Sequence, residues 1–225
     1  MPNELIWFLF AMLNFSLLLF FYRMFGKMGL FVWIGLATVI ANIQVLKTVE
    51  LFGLTATLGN IIYGTAYLGT DILNEKYGKK DAKRAVWMGF STLIAMTVMM
   101  QISLVFNPGP DDIAHESLET IFGMIPRVAA GSLAAYAMSQ YFDVLIYDKL
   151  RKLFPADKFL WVRNNGSTML SQLLDTAVFC SIAFLGQFPM TVWFEIFITT
   201  YVIKFIVALI DTPFMYIAKY IHQSK

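Results

Sequence analysis

The sequence predicts an all-α fold: a polytopic membrane bundle of seven transmembrane helices, a six-helix core plus an extra N-terminal helix. Composition, span length and charge placement carry that prediction. Of the 225 residues, 58% are hydrophobic and 14% charged, where a soluble domain carries about 25% charge. Twenty-one Phe, ten Tyr and five Trp are more aromatic surface than one soluble core needs. A single cysteine, Cys180, excludes a disulfide scaffold. A net charge of +2 makes no phosphate-binding field, so no nucleic-acid partner is expected.

Crossing ~30 Å of hydrocarbon takes roughly 17–25 apolar residues as a helix. Seven stretches qualify: 5–22, 28–46, 51–72, 85–106, 127–147, 166–186 and 191–217. Only Arg23 to Lys27 separate the first two, so they form a tight helical hairpin. The third is the most polar, with Thr55, Thr57, Asn60, Thr65 and Thr70, and its alternative is a re-entrant segment. The last is long and contains Lys204, Asp211 and Pro213, where a tilt or kink is expected. No Lys or Arg precedes the first apolar run and no A-x-A site follows it, so the first helix is expected to be retained rather than cleaved as a signal.

With the N-terminus outside, the cytoplasmic segments hold Arg23, Lys27, Lys76, Lys79, Lys80, Lys83, Arg84, Lys149, Arg151, Lys152, Lys158, Arg163, Lys219 and Lys225. These are fourteen of the seventeen basic residues. Lys47 and Arg127 stay outside and Lys204 lies within a span. The loop 107–126 has Asp111, Asp112, Glu116 and Glu119 but no cation. An outside N-terminus and a cytoplasmic C-terminus follow.

The whole chain, 1–225, reads as one transmembrane domain, with the extra helix at 5–22 and the six-helix core at 28–217. The loop 107–126 opens on Asn107-Pro108-Gly109-Pro110, a turn signal, and Asp111 to Phe122 suit a short surface helix. Residues 148–164, basic with Phe154, Phe159, Leu160 and Trp161, suit an interfacial segment. The six core spans divide as three plus three, 28–106 and 127–217. An odd number per half inverts the second half, as an inverted-repeat transporter requires. The middle helix of each half then carries an Asp, Asp71 and Asp175.

A charge at the bilayer centre costs ~2.5–3.5 kcal/mol on insertion scales, so each needs a reason. On the third span Asn60, Gly64, Tyr67, Asp71 and Asn74 recur at helical spacing as one stripe. That stripe faces protein or water, unless Asp71 and Glu75 merely end the helix at the interface. On the fifth, Ser132, Tyr136, Gln140 and Asp143 share a stripe. Beside it Gly131, Ala135 and Ser139 form a small-residue ridge for close packing. Arg127 opens that helix, either as a ligand or as an interfacial cation. On the sixth, Thr168, Gln172 and Asp175 share a face, with Asn164 and Ser171 adjacent. Asp175 lies at mid-span, where a carboxylate is most expensive. On the seventh, Thr200, Lys204 and Asp211 share a face. Asp175 and Lys204 either neutralise each other or line a transport site.

Enzymatic arrangements are missing. The two histidines, His115 and His222, lie in the outer loop and the tail, and no H-E-x-x-H, Cys/His cluster or P-loop occurs. No cofactor is expected.

Three separated motifs resemble the queuosine precursor transporter family. The first is Gly69-Thr70-Asp71-Ile72-Leu73-Asn74-Glu75-Lys76-Tyr77-Gly78 with the basic stretch after it. The second is Arg127-Val128-Ala129 through Gln140 and Asp143. The third is Arg163-Asn164-Asn165-Gly166-Ser167-Thr168 with Gln172-Leu173-Leu174-Asp175-Thr176. The resemblance covers about 28–217, and its order and spacing make it specific. The extra first helix is a departure. The resemblance implies an inner-membrane importer of 7-deazaguanine bases, chiefly 7-cyano-7-deazaguanine and its 7-aminomethyl relative. It also implies a distant likeness to the substrate-binding subunits of energy-coupling-factor transporters.

A deazaguanine offers N1–H and a 2-amino group as adjacent donors and a carbonyl at position 6. A carboxylate takes both donors at once, while Arg, Gln or Asn meets the carbonyl. Tyr67 and Tyr136 can stack on the base. The candidate substrate-binding residues are therefore Asn60, Tyr67, Asp71, Arg127, Gln140, Asp143, Asn164, Thr168, Gln172, Asp175 and Lys204. The expected partners are a small-molecule 7-deazaguanine and the lipid bilayer; a homo-oligomer stays open. Two alternatives remain at this level: a binding subunit that needs an external ATP-driven module, and a membrane assembly protein whose buried charges only specify packing.

Overall fold

The computed structural model describes residues 1–154 and 160–221; within these, the side chains of 140, 143, 144, 147, 148, 151, 160–168, 208 and 219 are excepted. The chain forms helices α1 (Asn3–Gln44), α2 (Gly59–Tyr77), α3 (Lys79–Val105), α4 (His115–Phe122), α5 (Ile125–Leu153), α6 (Leu160–Phe184) and α7 (Met190–Ile221). A two-stranded hairpin, β1 (Thr48–Leu51) and β2 (Leu54–Thr57), precedes α2. The helices group into two compact units, Met1–Pro126 with the stretch from Val202 onward, and Arg127–Tyr201.

In the first unit, α1 is two arms hinged at Gly26, whose φ of 57° and ψ of −137° leave helical geometry. A side chain rarely adopts that φ, and glycine does so without strain. The arms fold back as the sequence predicts. Phe21 and Trp33 pack edge to face at 5.4 Å, and the Asn3 amide donates to Glu50 O at the far end (2.9 Å). The turn is so tight that a Cβ on Gly29 would lie 2.1 Å from Phe21 O.

The second arm packs on α2 through buried polar ties as well as apolar contact. Trp33 Nε1 donates to Thr65 Oγ1 (2.9 Å), and Asn42 Nδ2 donates to the Tyr63 hydroxyl (2.7 Å). Each satisfies a polar group that would otherwise be desolvated without compensation. Phe15 of the first arm stacks on Phe214 of α7 at 5.0 Å. On α3 the buried face is Ala85, Gly89 and Leu93.

At the Lys-rich end Lys27 pairs with Asp81 (2.5 Å) and Lys76 Nζ donates to Ala218 O in the last turn of α7 (2.7 Å). A cation there suits the negative end of the helix dipole.

The third predicted span, 51–72, is corrected. Thr48 pairs with Thr57 and Leu51 with Leu54, so residues 48–57 form an antiparallel hairpin, and the helix begins only at Gly59. Phe52 and Gly53 both take positive φ, 54° and 77°, the two-residue turn whose twist matches paired strands. Flanking Val and Thr side chains favour the strand. Hydropathy summed over a window does not register this local geometry. The helix α2 is also neither lipid-like nor a re-entrant loop in local structure: it is a regular 19-residue helix with most of one side buried.

The remaining elements follow expectation more closely. The short helix expected within Asp111 to Phe122 is α4, with no buried residue; Asp112 Oδ1 accepts the Ala114 and His115 N–H groups at its start (2.9 and 3.0 Å). The basic stretch 148–164 is in part a continuation of flanking helices, since α5 runs to Leu153 and α6 starts at Leu160. Its residues 155–159 lie outside the described residues. The helix α7 continues through Pro213 to Ile221.

Among the described residues, four helical segments are long and apolar enough to cross a bilayer: Asn3–Gln44, Lys79–Val105, His115–Ser139 and Met190–Ala218. Met169–Phe184 is apolar but shorter. The chain is a helical membrane protein.

Candidate functional site

In the first unit the polar stripe of α2 splits in two. Its early part is packed away. Asn60 is buried and its amide reaches Thr57 Oγ1 (3.5 Å), a contact local to the helix start. Gly64 sits against α7, where an added Cβ would lie 2.1 Å from Val207 Cγ1. The later part is open: Tyr67, Asp71 and Asn74 are all exposed.

Two contacts, Gly64 with Val207 and Lys76 with Ala218, set α2 and α7 side by side in parallel. Asp71 and Asp211 fall between those contacts on the two helices. Tyr67, one turn before Asp71, faces Tyr63 with ring centroids 6.3 Å apart. Lys204 is half-buried on α7, two turns or about 10 Å before Asp211 along the helix.

In the second unit the small-residue ridge of α5 does what its composition predicts. A Cβ on Gly131 would meet Ala183 N and Ile182 of α6 at 3.5 Å, ordinary contact, so the helices approach closely there. Further along the ridge, Ser139 carries more than packing. Its hydroxyl lies 3.3 Å from Asp175 Oδ1 and 3.1 Å from Tyr136 O of its own helix, two acceptors that share its one proton, and both Ser139 and Asp175 are buried. Asp175 is thus a buried carboxyl group on α6 with a hydroxyl supplied by the neighbouring helix. Gln172, one turn earlier, is half-buried, and its backbone carbonyl accepts the Thr176 hydroxyl (2.9 Å).

Arg127 has a definite structural task. Its guanidinium donates to Ile182 O and Leu185 O at the C-terminal end of α6, satisfying carbonyls that the helix leaves unpaired. The first turns of α7 hold to α6 through Trp193 Nε1 on Cys180 O (2.9 Å) and Tyr201 Oη on Met169 O (3.3 Å).

The structure therefore brings together Ser139 and Asp175 in one unit, and in the other sets Asp71 and Asp211 on neighbouring stretches of α2 and α7. Asn60 is engaged in a contact local to the start of α2, and Arg127 caps the C-terminal end of α6. The side chains of Gln140, Asp143, Asn164 and Thr168 lie outside the described residues.

Two residues escaped the sequence reading of the site. Ser139 belongs to the packing ridge by its spacing; the signal for its second role is Asp175 itself, because a buried carboxylate needs a donor. Thr200 is the other. It is 2% exposed, and its hydroxyl has no hydrogen-bond partner among the described residues. Its position on the face of Lys204 was legible, its unsatisfied state was not. No group of three or more His, Cys, Asp or Glu among the described residues is placed to hold a metal ion.

Buried carboxylate and hydroxyl groups on apolar helices define the class: a multi-pass membrane protein with polar groups held inside its bundle, the arrangement of a solute transporter. Residues 57–218 match the family described as "Putative vitamin uptake transporter", and the chain belongs to that family. It is similar to the "Probable queuosine precursor transporter" of Bacillus subtilis strain 168, at 58% identity over 97% of this chain and 96% of the relative. It is also similar to the protein of that name from Haemophilus influenzae, at 28% identity over 71% of this chain and 66% of the relative. The "Queuosine precursor transporter" of Escherichia coli K12 is 27% identical over 76% of this chain and 75% of the relative. No solved structure matches. The family resemblance read from the three motifs therefore stands, and the protein is a transporter rather than an enzyme.

Proposed function

We propose that this protein imports queuosine precursors, 7-cyano-7-deazaguanine and 7-aminomethyl-7-deazaguanine, across the cytoplasmic membrane for queuosine modification of tRNA. The substrate comes from the names of its relatives, above all the one 58% identical over nearly the full length. The observation that supports a guanine-like base is Asp175, buried on α6 and hydrogen-bonded by Ser139. A carboxylate in that setting suits the base's N1–H and 2-amino donors, and hydrogen bonds to a charged group are worth about 1.5–3 kcal/mol each.

In this reading the chain is one transporter domain of seven spans, with the N-terminus outside and the C-terminus cytoplasmic, as the basic residues indicate. Asp71, Tyr67, Asn60, Arg127, Gln140, Asp143, Asn164, Thr168, Gln172 and Lys204 are proposed as further substrate residues on the sequence pattern. The Ser139 hydroxyl is added as the group that orients Asp175.

The test is uptake of radiolabelled 7-cyano-7-deazaguanine by the purified protein in liposomes, beside substrate binding by Asp175→Asn. The amide turns an acceptor into a donor facing the donors of the base. Loss of two charge-assisted hydrogen bonds predicts at least about 100-fold weaker binding in a folded protein. Ser139→Ala removes one neutral donor and predicts a loss of about tenfold or less. Unchanged affinity in Asp175→Asn refutes the carboxylate reading. Absence of uptake by the wild-type protein refutes solitary import.

A further inference from the structure

The exposed face of α3 ends in a cluster of cations that no proposed substrate contact uses. Lys80, Lys83, Arg84 and Trp87 stand at positions i, i+3, i+4 and i+7, one helical face. All four are exposed; Arg84 is 64% and Trp87 71% accessible. The same face continues through Ile94, Val98 and Ile102, each also exposed. The opposite face, Ala85, Gly89 and Leu93, is the buried one. From Trp87 to the helix end at Val105 is about 27 Å at 1.5 Å per residue, close to the ~30 Å of a hydrocarbon core. Trp87 then falls at the depth where indole rings collect. The three cations lie at or above the headgroups.

Acidic residues do not cancel this charge. Asp81 points around the helix to Lys27, 2.5 Å away, with only a long contact of 3.9 Å to Arg84. Among the described residues, no carboxylate lies within ion-pair distance of Lys80 or Lys83. Three cations beside one another repel, and bulk water alone does not explain their alignment with an apolar stripe below.

We propose that this face holds an anionic glycerophospholipid in the leaflet at the N-terminal end of α3. Its phosphate lies among Lys80, Lys83 and Arg84, its glycerol level beside Trp87, and its acyl chains along Ile94, Val98 and Ile102. The amphiphilic match selects a lipid over a free anion, because the cations and the apolar stripe share one face. The site goes beyond the transport reading and does not depend on it.

The experiment is native mass spectrometry of the purified full-length protein, titrated with phosphatidylglycerol or phosphatidylcholine of identical acyl chains. Each basic residue near an anionic surface contributes roughly fivefold, so Lys80→Gln with Lys83→Gln predicts about 30-fold weaker phosphatidylglycerol binding. Phosphatidylcholine binding stays unchanged. Lys80→Arg with Lys83→Arg retains the preference, and Lys149→Gln with Lys152→Gln, an equal charge loss elsewhere, leaves it intact. Equal phosphatidylglycerol binding by wild type and the Gln pair overturns the proposal, as does an equal loss in the Lys149/Lys152 control. Displacement of the lipid by the same concentration of inorganic phosphate overturns it in favour of a free-anion site.

Discussion

Placing a methyl at position 64 tests the α2–α7 seam directly. In Gly64→Ala the new Cβ lands 2.1 Å from Val207 Cγ1, 3.5 Å from Val207 Cβ and 3.7 Å from Phe15 Cζ. Only the first contact is intolerable. Val207 has little room to relieve it, because a β-branched residue in a helix strongly prefers one χ1 rotamer. Gly64→Ala is therefore expected to destabilise by about 1–3 kcal/mol, the usual range for overpacking. Val207→Ala alone leaves a small cavity at a residue 2% exposed and is expected to lose about 1–2 kcal/mol. The double variant removes the clashing Cγ1 and places the new Cβ at ordinary contact with the remaining one. It should be no less stable than Val207→Ala, which gives a favourable coupling of about 1–3 kcal/mol. Reversible unfolding in mixed detergent micelles, followed by tryptophan fluorescence, measures all four corners of the cycle. Additive losses would refute the close approach at Gly64, and with it the parallel setting of α2 and α7 that places Asp71 and Asp211.

Other expectations rest on separate groups. Thr200→Val replaces a buried hydroxyl without a partner by a methyl, so the unliganded protein should gain about 1 kcal/mol in the same unfolding assay; a loss of that size would mean the hydroxyl is satisfied. Glu4 Oε1 accepts the Phe52 N–H (3.0 Å), and that bond holds the Glu4 carboxyl below its ordinary value of 4.5. A lowered carboxyl stabilises the fold above its ordinary value and loses that effect as pH falls through the lowered one. Hydrogen exchange at Phe52, corrected for intrinsic rate, should show protection that disappears on acidification in wild type and is insensitive to pH in Glu4→Gln. Protection independent of pH in wild type would remove Glu4 as the latch. For the topology, Asn3→Cys and Ser224→Cys in a Cys180→Ala background should label from opposite sides of the membrane; labelling of both from one side would overturn the orientation.

What was legible in the sequence is whatever a short window fixes. Apolar runs of membrane length, few charges and cations clustered in alternate loops determine a helical membrane protein, because water and lipid sort side chains one segment at a time. The hairpin at 23–27 was legible too: five residues between two apolar runs leave no other path, and Gly26 supplies the φ the turn requires. The short helix α4 followed from its turn signal, and three spaced motifs carried the family.

Tertiary structure decided the rest, because it depends on which surface meets which. Residues 51–58 are apolar enough to read as the start of a span, yet Phe52 and Gly53 turn the chain and the two strands satisfy each other's backbone groups. One continuous stripe on α2 became two environments, since Gly64 lets α7 approach and buries the first half while Tyr67 and Asp71 stay open. Arg127, a candidate ligand by its charge, caps α6 because the α5–α6 packing brings unpaired carbonyls within reach. Ser139, a small ridge residue by its spacing, became the partner of Asp175 by the same packing. Periodicity assigns a residue to a face of its own helix, whereas hydrogen-bond partners thirty-six or fifty-five residues away are set by the depth and rotation at which helices pack.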